Sequence, residues 1–174
     1  QTNSFQNISL SRGNGCTVWD TSGKPYIDLL SGTWCNVLGY GHPAWMSVIH
    51  EQTAKLTHTG ASFITPEINE ALFKLQEILP PELNRAVFLN TGSEAVELAL
   101  KMARAATRSD GIAVIERGYY GATAYALGLS EAGRHAGYLP QITNAYRLPA
   151  PDCQRCPMGS SWPCVDGFPC LDPL

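Results

Sequence analysis

The stretch Arg85 to Arg104, RAVFLNTGSEAVELALKMAR, passes from a short apolar run through Thr-Gly-Ser-Glu into an alanine-rich segment. Ala86-Val87-Phe88-Leu89 reads as a strand. Ala95, Val96, Leu98, Ala99, Met102 and Ala103 then recur with a mostly helical period, alanine filling the gaps. Thr91 and Glu94 stand at capping-box spacing, so the start of the helix is marked twice. Gly92 lets the backbone approach a bulky group, and Ser93 adds a hydroxyl. The first-turn amides, at the positive end of the helix dipole, favour a dianion. Two readings stand at this point: an anion cup, or an ordinary capped helix after a strand.

Upstream, Cys16-Thr-Val-Trp-Asp20 and Pro25-Tyr-Ile-Asp-Leu29 flank the turn Thr21-Ser-Gly-Lys24, which predicts a β-hairpin. His42-Pro43 opens a helix to about Thr57, with Trp45, Val48, Ile49, Gln52 and Leu56 on one face and the proline in its first turn. A second helix is expected from Pro66 to Leu79, with Thr65 as N-cap, Ile68, Leu72, Leu75 and Leu79 facing inward, and Pro80-Pro81 as its stop. Ile112 to Ile115 is a fully apolar strand, and the alanine-rich stretch from Gly121 is a short helix or a loop-helix. Strands alternating with helices beyond residue 65 point to an α/β layer with parallel pairing, where ligands bind outside the carboxyl ends of strands. Thr91-Gly-Ser93 follows one such strand and Tyr119-Tyr120-Gly121 the next, so the two can face a single ligand.

Composition narrows the partners. Twelve basic and fifteen acidic side chains give a net charge of −3 without a run of either sign, which argues against nucleic acid or an anionic membrane surface and leaves small anionic metabolites. No apolar stretch is long enough to span a bilayer and no basic-then-apolar leader opens the sequence, so a cytoplasmic protein is expected. Its 174 residues suffice for one domain with a real core.

NTGSEAVELALKMAR resembles the phosphate-cup motif of the class III pyridoxal-phosphate aminotransferases, the family of ω-amino-acid and 4-aminobutyrate transaminases. Gly15 to Gly32 (GCTVWDTSGKPYIDLLSG), Trp34 to Pro43 (WCNVLGYGHP) and Glu116 to Thr123 (ERGYYGAT) match the same family in the same order. The likeness reaches about Pro151 and covers less than half of a typical member. It implies an α/β pyridoxal-phosphate-dependent transferase fold, fold type I, in incomplete form. Residues 1–60 would be an N-terminal hairpin and helix segment contributing to a small domain and a pocket loop, 61–150 the first part of the large cofactor-binding domain, and 151–174 a Cys/Pro-rich loop.

By the same resemblance, Thr91, Gly92 and Ser93 hold the phosphate of pyridoxal 5'-phosphate, and Tyr119, with Tyr120 and Gly121, lies against its ring. Family members commonly carry an aromatic-His-Gly triplet where this chain has Tyr119-Tyr120-Gly121. Taken alone, Tyr119 also suits a core tyrosine with a satisfied hydroxyl. Trp34 resembles the tryptophan that walls the substrate pocket of ω-amine transaminases; the alternative is a tryptophan that packs domains together. Gly39 and Gly41 read as turn formers around Tyr40, and His42 as a turn residue rather than a general base.

Cys153, Cys156, Cys164 and Cys170 form a C-x2-C-x7-C-x5-C cluster. Four thiols can bind zinc or an iron–sulfur cluster, but the spacing is compact, prolines restrict the loop, and the similar loop in parts of the family is usually without metal, so the expected metal complement is none. The four lysines, Lys24, Lys55, Lys74 and Lys101, lie in a hairpin turn and on amphipathic helices. None resembles the family's Schiff-base lysine, and the aspartate that pairs with the pyridine nitrogen has no match either. No catalytic residue is therefore expected within this chain, which reads as the N-terminal part of a subunit: a fragment, a truncated gene product or one piece of a cleaved chain. The implied reaction is transamination between an amine or ω-amino acid and a 2-oxo acid, and the implied partner is a second copy in a homodimer or the missing C-terminal half. Two alternatives accompany it. Leu29 to Pro149 also resembles 2,2-dialkylglycine decarboxylase, although Thr33 stands where that enzyme has a glutamine, and a non-catalytic remnant with a metal- or partner-binding tail is the other.

Overall fold

The computed structural model describes residues 7–60, 62–131 and 142–156. The chain divides into two compact units, Gln1–Ala86 and Val87–Leu174.

The first unit opens with an antiparallel sheet in the order β1 (Leu10–Asn14), β2 (Thr17–Asp20), β3 (Pro25–Ile27). The β2–β3 hairpin pairs Thr17 with Ile27, Val18 with Tyr26 and Trp19 with Pro25, as its sequence predicts. Asp20 closes it. One carboxylate oxygen accepts the Ser22 and Lys24 amides at 2.8 and 3.0 Å, and the other accepts the Tyr26 hydroxyl at 2.8 Å. These bonds favour the ionised form, foremost the one from the Ser22 hydroxyl, and lower the Asp20 pKa to about 2. β1 has no counterpart in the sequence reading. Its residues are mostly exposed and lack apolar alternation, and it joins β2 through Gly15, whose φ of 53° suits the first central position of a two-residue turn.

After β3 comes α1 (Ser31–Trp34), a single turn in which Ser31, Gly32, Thr33 and Trp34 have φ of 51°, 60°, 64° and 65°. This is a left-handed turn built largely from residues with side chains, each bearing a penalty of roughly 1–2 kcal/mol. Then follow α2 (Pro43–Lys55) and α3 (Pro66–Ile78), each with proline in its first turn. In α3 the Thr65 hydroxyl accepts the Ile68 amide at 3.3 Å, so the N-cap is where the sequence placed it. The apolar faces of both helices are only partly covered: Ile49, Leu72, Leu75 and Leu79 are half-buried, while Trp45, Phe73 and Ile78 are exposed.

The second unit carries α4 (Gly92–Thr107), β4 (Ile112–Ile115), α5 (Ala124–Leu129), β5 (Ala145–Leu148) and a 3-10 turn at Cys153–Arg155. β4 and β5 pair in parallel, from Ile112 with Ala145 to Ile115 with Leu148. Parallel pairing was expected, but one of the expected strands takes no part in it among the described residues. Ala86 to Leu89 belongs to no strand, and Val87, Phe88 and Leu89 are 66%, 55% and 42% exposed. A strand exists only through its ladder, and among the described residues none pairs with this run. The most buried side chains of this unit are Val114 on β4, Ala126 and Leu129 on α5, and Ser130 just after it.

Candidate functional site

The capping box of α4 is complete. The Thr91 hydroxyl accepts the Glu94 amide at 3.1 Å, and the Glu94 carboxylate accepts the amides of Asn90 and Thr91 at 3.0 and 2.9 Å. The Ala95 amide bonds to the Thr91 carbonyl. Four of the amides around the helix start are thus engaged, whereas those of Gly92 and Ser93 have no acceptor among the described residues. A Cβ built on Gly92 meets nothing within 4 Å, so the space on the side-chain side of Gly92 is open.

The second segment closes on the first. The Ser93 hydroxyl oxygen accepts the Ala122 amide at 2.9 Å. Gly121 has φ of 144°, and a Cβ there would lie 2.7 Å from the Ser93 hydroxyl and 3.0 Å from Ser93 Cα. Only glycine allows this approach. A hydroxyl that accepts from one amide keeps its single proton to donate elsewhere, so Ser93 is left as a donor beside the two open amides. Thr91, Gly92, Ser93 and Gly121 therefore form one cluster.

Tyr119 and Tyr120 do different things. Tyr119 is 69% exposed. The Tyr120 hydroxyl turns back to the end of β4, accepting the Ile115 amide at 2.6 Å and donating to the Ile115 carbonyl at 3.2 Å. Its own amide donates to the hydroxyl of the fully buried Ser130 at 2.8 Å, and that hydroxyl donates to the Ala126 carbonyl at 2.8 Å. Tyr120 thereby braces the loop that presents Tyr119. Glu97, one helical turn beyond Glu94, supports the same loop by accepting the Thr123 hydroxyl at 2.6 Å and the Ala126 amide at 3.4 Å. Neither Glu97 nor Ser130 stood out in the sequence. The helical spacing of Glu94 and Glu97 was a signal for the first, but its partners lie 26 and 29 residues away.

Trp34 belongs to the first unit and is 77% exposed on the left-handed turn. Gly39 and Gly41, with φ of 79° and 68°, shape the turns around Tyr40. His42 is the residue before the first turn of α2 and makes no capping bond. Cys153 is exposed and Cys156 half-buried around the 3-10 turn; Cys164 and Cys170 lie outside the described residues. Among the described residues no group of three or more His, Cys, Asp or Glu could hold a metal ion, and no helix is long and apolar enough to cross a membrane. Of the lysines, Lys55 pairs with Glu67 and Lys74 with Glu70, both at the surface.

Open amides, a donor hydroxyl and a glycine-permitted close approach thus lie together at the start of α4, and the adjoining loop carries an exposed aromatic ring. The family described as aminotransferase class-III matches residues 1–164. Acetylornithine aminotransferase of Methanopyrus kandleri is 34% identical over 152 residues, 87% of this chain and 37% of that protein. Human mitochondrial alanine–glyoxylate aminotransferase 2 is 35% identical over 88% of this chain and 30% of its own length. An (S)-enantioselective omega-transaminase from Thermomicrobium roseum superposes with a TM-score of 0.78 at 28% identity, covering 89% of this chain and 37% of that one. The ornithine aminotransferase of Toxoplasma gondii gives 0.77 at 25% identity, over 88% and 38%. The chain belongs to the class III aminotransferases, which are pyridoxal-phosphate enzymes of fold type I. It spans about a third of the length of these relatives.

Proposed function

We propose that this chain is the N-terminal, cofactor-cradling part of a class III aminotransferase subunit that moves an amino group between an amine or ω-amino acid and a 2-oxo acid. The observation that carries the reading is the pair of amides at Gly92 and Ser93 with no acceptor among the described residues, beside the Ser93 hydroxyl, which accepts the Ala122 amide and keeps its own proton to donate. Three converging donors at a helix N-terminus suit a doubly charged phosphate without a lysine. When bound, pyridoxal phosphate supplies an electron-withdrawing ring that stabilises negative charge on the substrate carbon.

In this reading Thr91 holds the helix start in shape, and Gly92 and Ser93 bind the phosphate. Tyr119 lies against the ring and fixes its tilt, and Gly121 lets the two loops meet. Tyr120 acts from behind by holding the loop. Trp34 walls the pocket that takes the donor's carbon chain. The lysine that binds the cofactor covalently comes from outside this chain, because the lysines described here are committed to the surface or to the hairpin turn. Residues 1–60 serve the small domain and pocket loop, 61–150 the first part of the large domain and 151–174 a Cys/Pro-rich loop, in a homodimer with a cytoplasmic location. Decarboxylation has no separate support: Thr33 departs from the decarboxylase pattern, and the relatives quoted above are aminotransferases.

The test is cofactor binding by the full-length subunit. Ser93→Ala should weaken pyridoxal phosphate about tenfold, the scale of one hydrogen bond to a charged group, and should weaken pyridoxal, which lacks the phosphate, much less. Equal losses for both compounds, or none, would overturn the phosphate-cup assignment.

A further inference from the structure

The left-handed turn that carries Trp34 needs something to hold it, and the structure supplies a frame. One oxygen of the Asp28 carboxylate accepts the Leu30 and Ser31 amides at 2.8 and 2.9 Å, at the entry to the turn. The other accepts the Tyr40 hydroxyl at 2.8 Å, at the far end of the loop. Both ends are fastened to the β1–β2 turn. The Asp28 amide donates to the Cys16 carbonyl at 2.9 Å, and Gly15 and Tyr40 exchange two backbone bonds of 2.9 Å. Gly13 and Gly39 permit the contact, since a Cβ on Gly13 would lie 2.5 Å from the Tyr40 ring and one on Gly39 would lie 3.0 Å from the Gly15 carbonyl oxygen. Residues 28–40 thus form a loop with joined ends. Its interior is tied by Trp34 N–H to the Leu30 carbonyl and Asn36 N–H to the Ser31 carbonyl, while Leu29, Trp34 and Val37 are 89%, 77% and 80% exposed.

Strain and exposed apolar groups are costly unless the surroundings over-determine them, and they concentrate at binding sites. We propose that Asp28 is a positioning residue for donor specificity: by joining the entry of the left-handed turn to Tyr40, it sets where Trp34 stands. The inference rests on the reading of Trp34 as a pocket wall and adds the device that places it. The three accepted bonds also hold the Asp28 carboxyl below the usual carboxylate range, first through the Ser31 amide, so the acceptor is ionised at neutral pH.

Two measurements on the full-length subunit test it. In hydrogen exchange, Asp28→Ala should speed the Leu30 and Ser31 amides about tenfold, the effect of losing one charge-assisted bond, and leave the β2–β3 amides unchanged. In kinetics, Asp28→Ala should move the kcat/KM ratio of a long to a short amine donor in the same direction as Trp34→Ala, and should add nothing in the Trp34→Ala background. Tyr40→Phe, which removes a single hydroxyl, should do the same more weakly and serves if Asp28→Ala does not fold. Unchanged exchange at both amides would overturn the proposal. A ratio moved by Trp34→Ala but by neither frame variant would overturn it while sparing the pocket wall; a ratio unmoved by Trp34→Ala itself would remove the wall and, with it, the specificity role of Asp28.

Discussion

At Gly121 one missing methyl group decides whether the loop before α5 can meet the start of α4. A Cβ there would enter Ser93 and would also lie 2.9 Å from the Ala126 Cβ, and the backbone has φ of 144°. Gly121→Ala should therefore cost about 1–3 kcal/mol of stability through overpacking and backbone strain. It should also weaken pyridoxal phosphate more than Ser93→Ala does, because it moves the hydroxyl rather than only deleting it. Thermal unfolding and equilibrium dialysis on the full-length subunit check both effects, and a variant of unchanged stability and affinity would contradict the packing described. Tyr120→Phe separates the two tyrosines. It loses the bonds to Ile115 and should lower the unfolding midpoint, whereas Tyr119→Ala should leave the midpoint in place and release cofactor.

At the scale of elements, the start of α4 and the β2–β3 hairpin each depend on one side chain. Removing the Thr91 hydroxyl takes away the acceptor of the Glu94 amide, so Thr91→Ala should cost about 1 kcal/mol and Thr91→Ser much less, readable as shifts of the urea midpoint at constant slope. The hairpin responds to acid. Asp20 has a folded-state pKa of about 2 against an ordinary 3.8, so it binds its proton more readily when unfolded. The stability it adds is fully present above the ordinary value and is lost as the pH falls through about 2. Asp20→Asn should flatten the acid limb of the stability curve across that window, and an unchanged limb would mean that the carboxylate bonds do not persist in solution.

For the whole molecule the informative feature is uncovered apolar surface. Phe63, Ile64, Phe73 and Ile78 in the first unit, and Val87 and Phe88 in the second, are between 55% and 78% exposed, more than a monomeric surface ordinarily leaves open. The 174-residue chain on its own should associate with itself, or with the polypeptide that completes the subunit. Sedimentation velocity checks this, and a single monomeric species across a wide concentration range would count against it. Borohydride reduction in the presence of pyridoxal phosphate should leave Lys24, Lys55, Lys74 and Lys101 without a stoichiometric adduct, which peptide mass mapping would reveal.

What could be read from the sequence was local. The capping box, the proline-started helices, the Thr65 cap and the β2–β3 hairpin all follow from interactions within a few residues, where side-chain type and spacing are sufficient causes. The free amides at the start of α4 were legible for the same reason, because they are the first amides of one helix. Tertiary structure decided what depends on distant partners. Val-Phe-Leu at 87–89 has strand composition yet no ladder among the described residues, whereas Ala145–Leu148, with little apolar signal, is a strand because β4 lies beside it. Tyr119 and Tyr120 are identical in type and adjacent in sequence. One is exposed and the other is bound to Ile115, a difference set by where the strand ends and the buried Ser130 stands. The left-handed turn at Ser31–Trp34 was equally invisible, since it opposes the preference of its own residues. It persists because Asp28 and Tyr40, twelve residues apart, meet across the loop.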